Sequence, residues 1–537
     1  MRQSSGNNGN AEEETQTADE STALISRSSD IENEVDIGTA KFAAIFASLL
    51  MGIFFTALDM TVVVALLSSI GSEFDSLNAV SWIGTSYLIG TCVVQPLAGK
   101  LSDIYGRRIC LILANLVFGL GCLGCGLSQT FEVLVISRAI SGLGGGALNT
   151  LGSITLTDFV PLRKRGIYQG VANVLFGTGN ALGGVYGGLI HEHIGWRMAF
   201  LIQVPFICLS TIVVALFVRI KPKESKHKSK LRRVDFLGSA VLVTSVGLLM
   251  FSLSTGGNQI AWNSPLILTC IPLSLVGIVL FWWVEKKFAA EPIIPMDVMR
   301  NRTVLAASIG NWFQAMAQMA LTFNVPIFFS VVKGYTAAQV GVQIVTFAIA
   351  TSVGSVSAGI IMLKGKYYWL TLMYCALMVI GSAAFAAFSA TTPRWVFFVV
   401  FAIPGFANGG ILTTFLLAMI ASVGREHQAV VISISYAFRS TGATIGVALG
   451  TAVFQSILWA RLSSRLTGNA ADKIIEEVRR SADAIKLLPE PAKGLVLQSY
   501  LDALRAVFVV IVGLSILGTL SAAFMKEHIL HKTLNRT

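Results

Sequence analysis

Residues 99–108 read GKLSDIYGRR, a short polar loop between apolar runs near 79–98 and 109–128. Each run has roughly the 20 residues that a helix needs to cross the hydrocarbon core of a membrane. Because the loop is short, the chain turns back at once, and the two runs are expected to form an antiparallel helical hairpin. The same alternation of apolar run and polar gap continues in both directions along the chain.

The composition supports membrane spans along almost the whole chain. Of 537 residues, 54% are hydrophobic and 13% are charged, whereas soluble domains carry about 25% charged residues. We interpret the chain as an all-α membrane protein with fourteen transmembrane helices. The candidate spans lie near 41–67, 79–98, 109–128, 131–157, 166–190, 198–218, 235–255, 265–284, 303–331, 337–362, 367–389, 394–421, 428–458 and 503–525.

The placement of charge predicts the orientation in the membrane. The net charge of +11 would suit nucleic acid, but most lysines and arginines lie in alternate gaps between apolar runs. Since cytosolic loops are enriched in Lys and Arg, both termini are expected in the cytosol. The partner that this pattern indicates is the lipid bilayer, and no nucleic-acid partner is expected.

The spans divide the chain into five parts. Residues 1–40 are polar and acidic, and we expect them to form a disordered cytosolic tail. Inside the gap at 460–502, the stretch 470–488 has the spacing of an amphipathic helix, either at the membrane interface or simply solvated. The other parts are a six-helix bundle at 41–218, a linker with two extra spans at 219–302, a second six-helix bundle at 303–525 that includes the lumenal loop 460–502, and a cytosolic tail at 526–537.

The loop at 99–108 resembles the signature loop of the major facilitator superfamily, G-x-L-x-D-x-x-G-R-[KR]. Matching positions are Gly99, Asp103, Gly106, Arg107 and Arg108. The resemblance implies a major facilitator fold, here two six-helix bundles with two extra spans between them. A carboxylate and two guanidinium groups at a helix mouth can form an ion-pair latch that closes the cytosolic side. Flanking positive charge alone would explain the arginines but not the Asp and the glycines at fixed offsets.

Two ionisable residues lie within apolar spans, where charge is costly and usually functional. Asp59 lies in LDMTVVVALL (58–67), which resembles L-D-x-T-V-V-x-x-A-L of the fourteen-span drug:proton antiporter branch. Arg138 resembles the span-four arginine that the superfamily implicates in proton coupling. A carboxylate at this position can attract the substrate cation or carry the exchanged proton, and the sequence does not assign which of the two Asp59 does. A structural hydrogen-bonded Asp59 and a snorkelling Arg138 remain open alternatives.

Span five carries glycines that resemble the antiporter signature G-x8-G-x3-G-P-x2-G-G. Every glycine spacing fits, at Gly170, Gly179, Gly183, Gly187 and Gly188. Gly184 stands where the signature has proline. The helix kink that the proline would cause is therefore in doubt. The match is also weaker evidence for antiport. Small residues let helices approach closely in lipid.

Amide side chains within the spans are candidates for lining a solute cavity, although helix–helix hydrogen bonding would also explain them. Three of them follow i, i+3, i+7 spacing on one span and so share a helical face. The candidates are Asn173, Asn180, Asn311, Gln314, Gln318, Asn324 and Asn408.

A closer resemblance is to the fungal vacuolar basic amino acid transporters, carried by RGIYQG (165–170), GWR (195–197) and IQVP (202–205). It implies an antiporter that imports Arg, Lys or His from the cytosol into the vacuole in exchange for protons. The solute site would lie between the bundles and open to each side alternately. The proton gradient would be the energy source, and no cofactor is expected.

Two other functions are compatible with these residues. One is a plasma-membrane exporter of drugs or toxins within the same branch. The other is a nutrient sensor that binds without transport, although the cytosolic tails are short for such a protein. An enzyme is not expected, because the sequence has no recognisable nucleophile–base pair, no metal-ligand cluster and no phosphate-binding loop.

The acidic N-terminal tail contains a sorting pattern. Glu20, Leu24 and Ile25 fit [DE]-x-x-x-L-[LI], which cytosolic sorting adaptors read to direct cargo to vacuoles or lysosomes. The tail therefore predicts an adaptor as partner and the vacuolar membrane as location, with the plasma membrane as the alternative.

Overall fold

The computed structural model describes residues 39–74, 76, 79–218, 233–256, 260, 262–288, 292–389, 392–466, 475, 485 and 492–530. The chain divides into two units, Met1–Ala47 and Ser48–Thr537. Helix α1 spans Thr39–Glu73, and the described part of the first unit is the beginning of this helix. All contacts described below lie within the second unit.

The N-terminal half of the second unit consists of the rest of α1 and six further helices. They are α2 (Ser81–Tyr105), α3 (Arg107–Leu127), α4 (Phe131–Phe159), α5 (Leu162–Ile194), α6 (Trp196–Leu201) and α7 (Gln203–Phe217). The predicted sixth span is interrupted at Ile202, between α6 and α7. Pro205 follows at the third position of α7, where a missing backbone donor is tolerated because the first turn of a helix leaves its donors unbonded.

Two helices link the halves, α8 (Phe236–Thr255) and α9 (Pro265–Lys287), and the short α10 (Met296–Arg300) follows. The Trp82 ring on α2 lies 5.5 Å from the Phe251 ring on α8, so the linker pair packs beside α2. The C-terminal half contains α11 (Arg302–Ile327), α12 (Ala337–Met362), α13 (Tyr368–Ala386), α14 (Arg394–Ala421), α15 (Gln428–Arg465) and α16 (Ala492–Ala523).

Helices cover every predicted span. Twelve of them are long and apolar enough to cross a membrane within the described part of the chain. The other two predicted spans correspond to α2 and α5, which have 25 and 33 residues. Both carry glycine, hydroxyl and amide groups that reduce their apolar character. The all-helical membrane fold is thus observed, and the count of fourteen spans stays a prediction.

Two helix ends extend beyond the predicted apolar runs. Helix α15 continues past 458 to Arg465, and α16 begins at Ala492 rather than near 503. An ion pair of 2.6 Å joins Arg465 to Asp502, so the two extensions support each other outside the apolar stretch. The loop between the helices is correspondingly shorter than 460–502. Within the predicted amphipathic segment only Ile475 and Ile485 are described, and both are buried.

Several predicted segments lie outside the described residues. They are nearly all of the tail 1–40, the sorting residues Glu20, Leu24 and Ile25, the basic stretch 219–232, and the end of the chain from 531.

An ion-pair cluster ties the far end of α1 to α6. The Trp196 indole and the Arg197 guanidinium both donate to Glu73, each at 2.5 Å. The hydrogen bond from Trp196 contributes most to holding the pKa of Glu73 below its ordinary value of 4.5; burial opposes it, and Arg197 assists. A lowered carboxyl pKa stabilises the fold above the ordinary value, and that stability is lost as pH falls through the folded-state pKa.

Glu73→Gln is therefore expected to destabilise the protein slightly, by about 0.2–1 kcal/mol, because the pair is exposed. The difference from wild type should persist from pH 7 to about pH 5 and shrink below the ordinary pKa of 4.5. Thermal unfolding in detergent over a pH series measures it. A difference that grows on acidification would contradict the assignment.

Candidate functional site

A cavity of about 1250 Å³ lies between the two halves. Its wall is mostly apolar and is built from α1, α2, α4 and α5 of the N-terminal half, from the linker, and from α11, α12, α14 and α15 of the C-terminal half. Along α15 the lining runs from Tyr436 to Ala460, near the end of the helix on the predicted lumenal side. The cavity thus occupies the middle of the protein and its half on the predicted lumenal side.

Asp59 and Arg138 form a buried ion pair at the wall of this cavity. Arg138 Nη1 lies 2.6 Å from Asp59 Oδ2, and the two side chains are 1% and 0% exposed. Arg138 also donates to the Ile83 carbonyl at 3.3 Å and stacks over the Tyr87 ring at 4.4 Å. Arg138 lines the cavity, whereas Asp59 lies behind it. The two charges that the sequence singled out separately are therefore one unit.

The halves meet on the predicted cytosolic side through a polar network. Asn173 on α5 donates to Ser355 on α12 at 2.8 Å, and Ser355 shares a 2.7 Å hydrogen bond with Thr413 on α14. Nearer the helix ends, Arg165 donates to the Gln428 side chain at 3.0 Å. The bonds of Asn173 and Arg165 join helices of opposite halves, and the Ser355–Thr413 bond joins two helices of the C-terminal half. The cavity is therefore closed toward the cytosol.

Close backbone packing reinforces this closure. A Cβ built on Gly359 of α12 would lie 2.5 Å from the Gly166 carbonyl group of α5. A Cβ on Gly99 of α2 would lie 2.6 Å from the Ala429 carbonyl oxygen of α15. Neither position has room for a side chain while the halves are in contact. The first glycine of the signature loop thus lies at the interface between the halves.

The ionic part of the signature loop lies within the N-terminal half. Arg107 pairs with Asp103 at 2.6 Å and with Asp158, at the end of α4, at 2.9 Å. Gly106 joins α2 to α3 with a φ of 95°, a conformation that favours glycine. Arg108 is exposed. The latch therefore clamps α2, α3 and α4 to one another, and Gly99 supplies the contact to the other half.

The antiporter-motif glycines of α5 divide into three kinds. Gly179, Gly183 and Gly187 face α1, where an added Cβ would lie 2.6–2.9 Å from the backbone oxygens of Phe54, Leu58 and Val62. Gly170 faces the other half, 3.1 Å from the Ser355 carbonyl oxygen. An added Cβ on Gly188, or on Gly184 at the proline position, would meet no described atom within 4 Å. Helix α5 is continuous from Leu162 to Ile194.

Most of the predicted amides reach the cavity wall. These are Asn173, Asn180, Asn311, Gln314, Gln318 and Asn408. Asn324 is not among the lining residues; it is buried and donates to the Ala320 carbonyl of its own helix at 2.8 Å. Some lining amides also form hydrogen bonds to a neighbouring helix. Asn311 on α11 donates to the Ser435 carbonyl on α15 at 3.1 Å. The same amide side chain can therefore both line the cavity and hold two helices together.

Sequence patterns did not reveal some residues of the site. Asp158 lies at the end of α4, outside the signature loop, yet it pairs with Arg107 of that loop. Ser355 and Thr413 are small hydroxyl residues that look like ordinary packing residues in a membrane helix. Tyr87 lies in a plain apolar run, yet its ring supports Arg138. No local pattern identifies such residues, because their partners lie on other helices.

Comparison with known proteins gives relatives along nearly the whole length. Multidrug resistance protein fnx1 of Schizosaccharomyces pombe is 39% identical over 499 residues, 92% of this chain and 94% of the relative. Vacuolar membrane amino acid uptake transporter fnx2 of the same yeast is 32% identical, over 91% of this chain and 85% of its own. Vacuolar basic amino acid transporter 2 of Saccharomyces cerevisiae is 35% identical, over 79% and 93%.

Solved structures share the fold at low sequence identity. The human organic anion transporter MFSD10 aligns with a TM-score of 0.57 at 14% identity, covering 89% of this chain and 99% of its own. The proton:xylose symporter XylE aligns with a TM-score of 0.56 at 15% identity, covering 92% and 98%. The sequence model of the Major Facilitator Superfamily matches residues 49–447. The chain therefore belongs to the major facilitator superfamily of membrane transporters and is not an enzyme.

Proposed function

We propose that this transporter is a proton-coupled antiporter that imports basic amino acids from the cytosol into the vacuole by alternating access. The observation that carries the proposal is the buried Asp59–Arg138 pair at the wall of the cavity between the halves. Relatives described as vacuolar transporters of amino acids support the substrate class and the location.

The geometry supports Asp59 as the proton carrier rather than as a direct substrate contact. Its side chain is fully buried behind Arg138, which holds it at 2.6 Å. A proton on Asp59 removes the charge that neutralises Arg138 and weakens the bond between α1 and α4. A buried charge without its partner is unstable, so protonation favours a rearrangement of this wall of the cavity.

The substrate cation must then be held without a carboxylate in the wall, since the described lining residues include neither Asp nor Glu. Aromatic faces attract cations, and Trp262 and Trp459 line the cavity. Asn180 offers an Oδ1 atom with no hydrogen-bond partner among the described residues. Contacts of this kind bind weakly enough to release the solute on the lumenal side.

Closure on the cytosolic side and a cavity on the lumenal side correspond to the releasing state of an importer into the vacuole. Loading from the cytosol requires the Asn173–Ser355–Thr413 network to open. Rocking of one half against the other achieves this while the solute site stays near the middle of the membrane.

Uptake into vesicles tests the proposal. The purified chain is reconstituted into vesicles with an acidic interior, and entry of labelled arginine, lysine and histidine is followed. Entry is expected to stop when an ionophore collapses the pH gradient. Uptake that is unaffected by the collapse would eliminate proton antiport.

A second candidate function is export of drugs or toxins across the plasma membrane. The description of the fnx1 relative as a multidrug resistance protein favours it, and so does the mostly apolar cavity wall. The same vesicles discriminate the two functions. Gradient-driven movement of an apolar organic cation without movement of basic amino acids would favour export.

The vacuolar location carries a separate prediction. Replacing Leu24 and Ile25 by alanine is expected to move a fluorescently tagged chain from the vacuolar membrane to the plasma membrane, because adaptors would no longer recognise the tail. Alanine at Ser21 and Thr22, which are variable positions of the pattern, is the matched control. A double variant that stays on the vacuole would show that the pattern is not the sorting signal.

A further inference from the structure

Arg439 is a second arginine inside a membrane helix, and it differs from Arg138 in its surroundings. It lies in the interior of α15, which runs from Gln428 to Arg465. Its side chain lines the cavity, on the same helical face as Tyr436, Ser440 and Ala443. It is only partly buried, so the charged group is accessible from the cavity.

The guanidinium of Arg439 has no anionic partner among the residues that the structure describes. It stacks over the Tyr436 ring, with 4.2 Å from Cζ to the ring centroid. No ion pair or hydrogen bond joins it to another side chain in the described part of the chain. Arg138, in contrast, is neutralised by Asp59 at 2.6 Å. Arg439 is therefore the uncompensated charge of the cavity.

An arginine within a membrane is costly, and such residues normally pair with an opposite charge or line a solute path. The described lining residues contain no carboxylate that could move to meet Arg439. The compensating anion must therefore arrive with a ligand. A planar guanidinium presents paired N–H donors that match the two oxygens of a carboxylate. Stacking on Tyr436 fixes the plane of these donors and leaves their edge free.

We propose that Arg439 binds the α-carboxylate of the transported amino acid. The inference rests on the proposed function and deepens it, because it assigns the carboxylate end and the cationic end of the substrate to different groups in the cavity wall. The carboxylate end meets Arg439 on α15, in the C-terminal half. The cationic end then contacts the ring faces of Trp262 and Trp459 and the side-chain oxygen of Asn180 on α5, in the N-terminal half. One substrate molecule thus contacts both halves.

Ligands with and without a carboxylate test this assignment. Binding of lysine, lysine amide and cadaverine to the purified full-length chain in nanodiscs is measured by competition with labelled lysine or directly by calorimetry. All three ligands keep the side-chain ammonium, and only lysine has the carboxylate. Loss of a charge-assisted pair in a partly buried site is expected to weaken binding about 10- to 100-fold. Wild-type protein should show this difference between lysine and the other two ligands.

Variants of Arg439 provide the second part of the test. Arg439→Gln should weaken lysine binding about 10- to 100-fold and should not weaken cadaverine binding, because cadaverine has no carboxylate for the guanidinium to hold. Arg439→Lys should restore part of the preference for lysine, because it keeps the charge but not the planar pair of donors. Arg461→Gln is the matched control, since Arg461 is exposed near the end of the same helix; it should behave as wild type.

The outcomes separate the inference from the proposed function. Wild-type protein that binds cadaverine as tightly as lysine would overturn the role of Arg439 and leave a transporter of organic cations; this arm needs no variant to fold. An Arg439→Gln protein that keeps the preference for lysine would also overturn it. Wild-type protein that binds none of the three ligands would overturn the proposed function, and the inference with it.

Discussion

Asp59→Asn is expected to abolish accumulation of basic amino acids driven by the pH gradient, while exchange of labelled for unlabelled substrate across the membrane continues. The amide cannot carry a proton in place of the carboxylate, so solute movement is no longer linked to proton movement. The residues that line the cavity are all retained, because Asp59 lies behind Arg138 and is not one of them. Parallel assays of net accumulation and of exchange in the same vesicles measure the two effects.

Stability provides the internal control for this variant. Asp59→Asn leaves Arg138 buried without its partner, which costs about 3–5 kcal/mol, whereas replacing both partners of such a pair is often nearly neutral. The double variant Asp59→Asn/Arg138→Gln should therefore recover most of the stability but none of the coupling. Asp502→Asn, which breaks a partly buried pair outside the cavity, should leave coupling intact. Gradient-driven accumulation by the double variant would exclude the pair as the proton site.

Gly359→Leu is expected to hold the cytosolic side open and to stop transport. Any side chain at this position meets the Gly166 carbonyl group at 2.5 Å and the Ile167 nitrogen at 2.6 Å on the opposite half. The clash exists only when the halves meet, so it disfavours the closed state and not the fold of α12. An overpacking cost of about 1–3 kcal/mol corresponds to a roughly 5- to 150-fold change in the balance between states.

Labelling from the cytosolic side measures this change. After Cys110 and Cys208 are replaced, a cysteine at the buried position Thr413 should react with a membrane-impermeant reagent in the Gly359→Leu protein and stay protected otherwise. Gly341→Leu is the matched control on the same helix, because a Cβ there meets no described atom within 4 Å. Equal protection of Thr413→Cys in both variants would show that Gly359 does not form the closing contact.

The sequence predicted the spans because a membrane helix needs a long apolar run, and that requirement is local. Helices α2 and α5 carried a weaker apolar signal, since they contain glycines, hydroxyls and amides, many of which pack against neighbouring helices or line the cavity. Pairings between distant residues could not be predicted. Asp59 and Arg138 are separated by 79 positions, and Asn173 and Ser355 by 182, and no periodicity connects either pair.

For the glycines and arginines too, local sequence shows the residue type, and only the fold shows the partner. The antiporter signature identified Gly179, Gly183 and Gly187 as small residues that allow close packing, but only the fold shows that they pack on α1. Arg138 and Arg439 look alike in sequence, as single arginines in apolar helices. Their different roles depend on whether another helix brings a carboxylate within 4 Å, which is a property of the tertiary structure.

Distances across the two mouths of the cavity test alternating access most directly. Spin labels at Lys164 and Lys366 report the cytosolic mouth, and labels at Glu192 and Ser463 report the lumenal mouth; all four side chains are exposed. On transfer from neutral to acidic pH with lysine present, the cytosolic distance should lengthen while the lumenal distance shortens, because a proton on Asp59 breaks the pair that is formed in the cytosol-closed state. Two distances that stay constant, or that lengthen together, would contradict a single cavity opened in turn by the rocking of two halves.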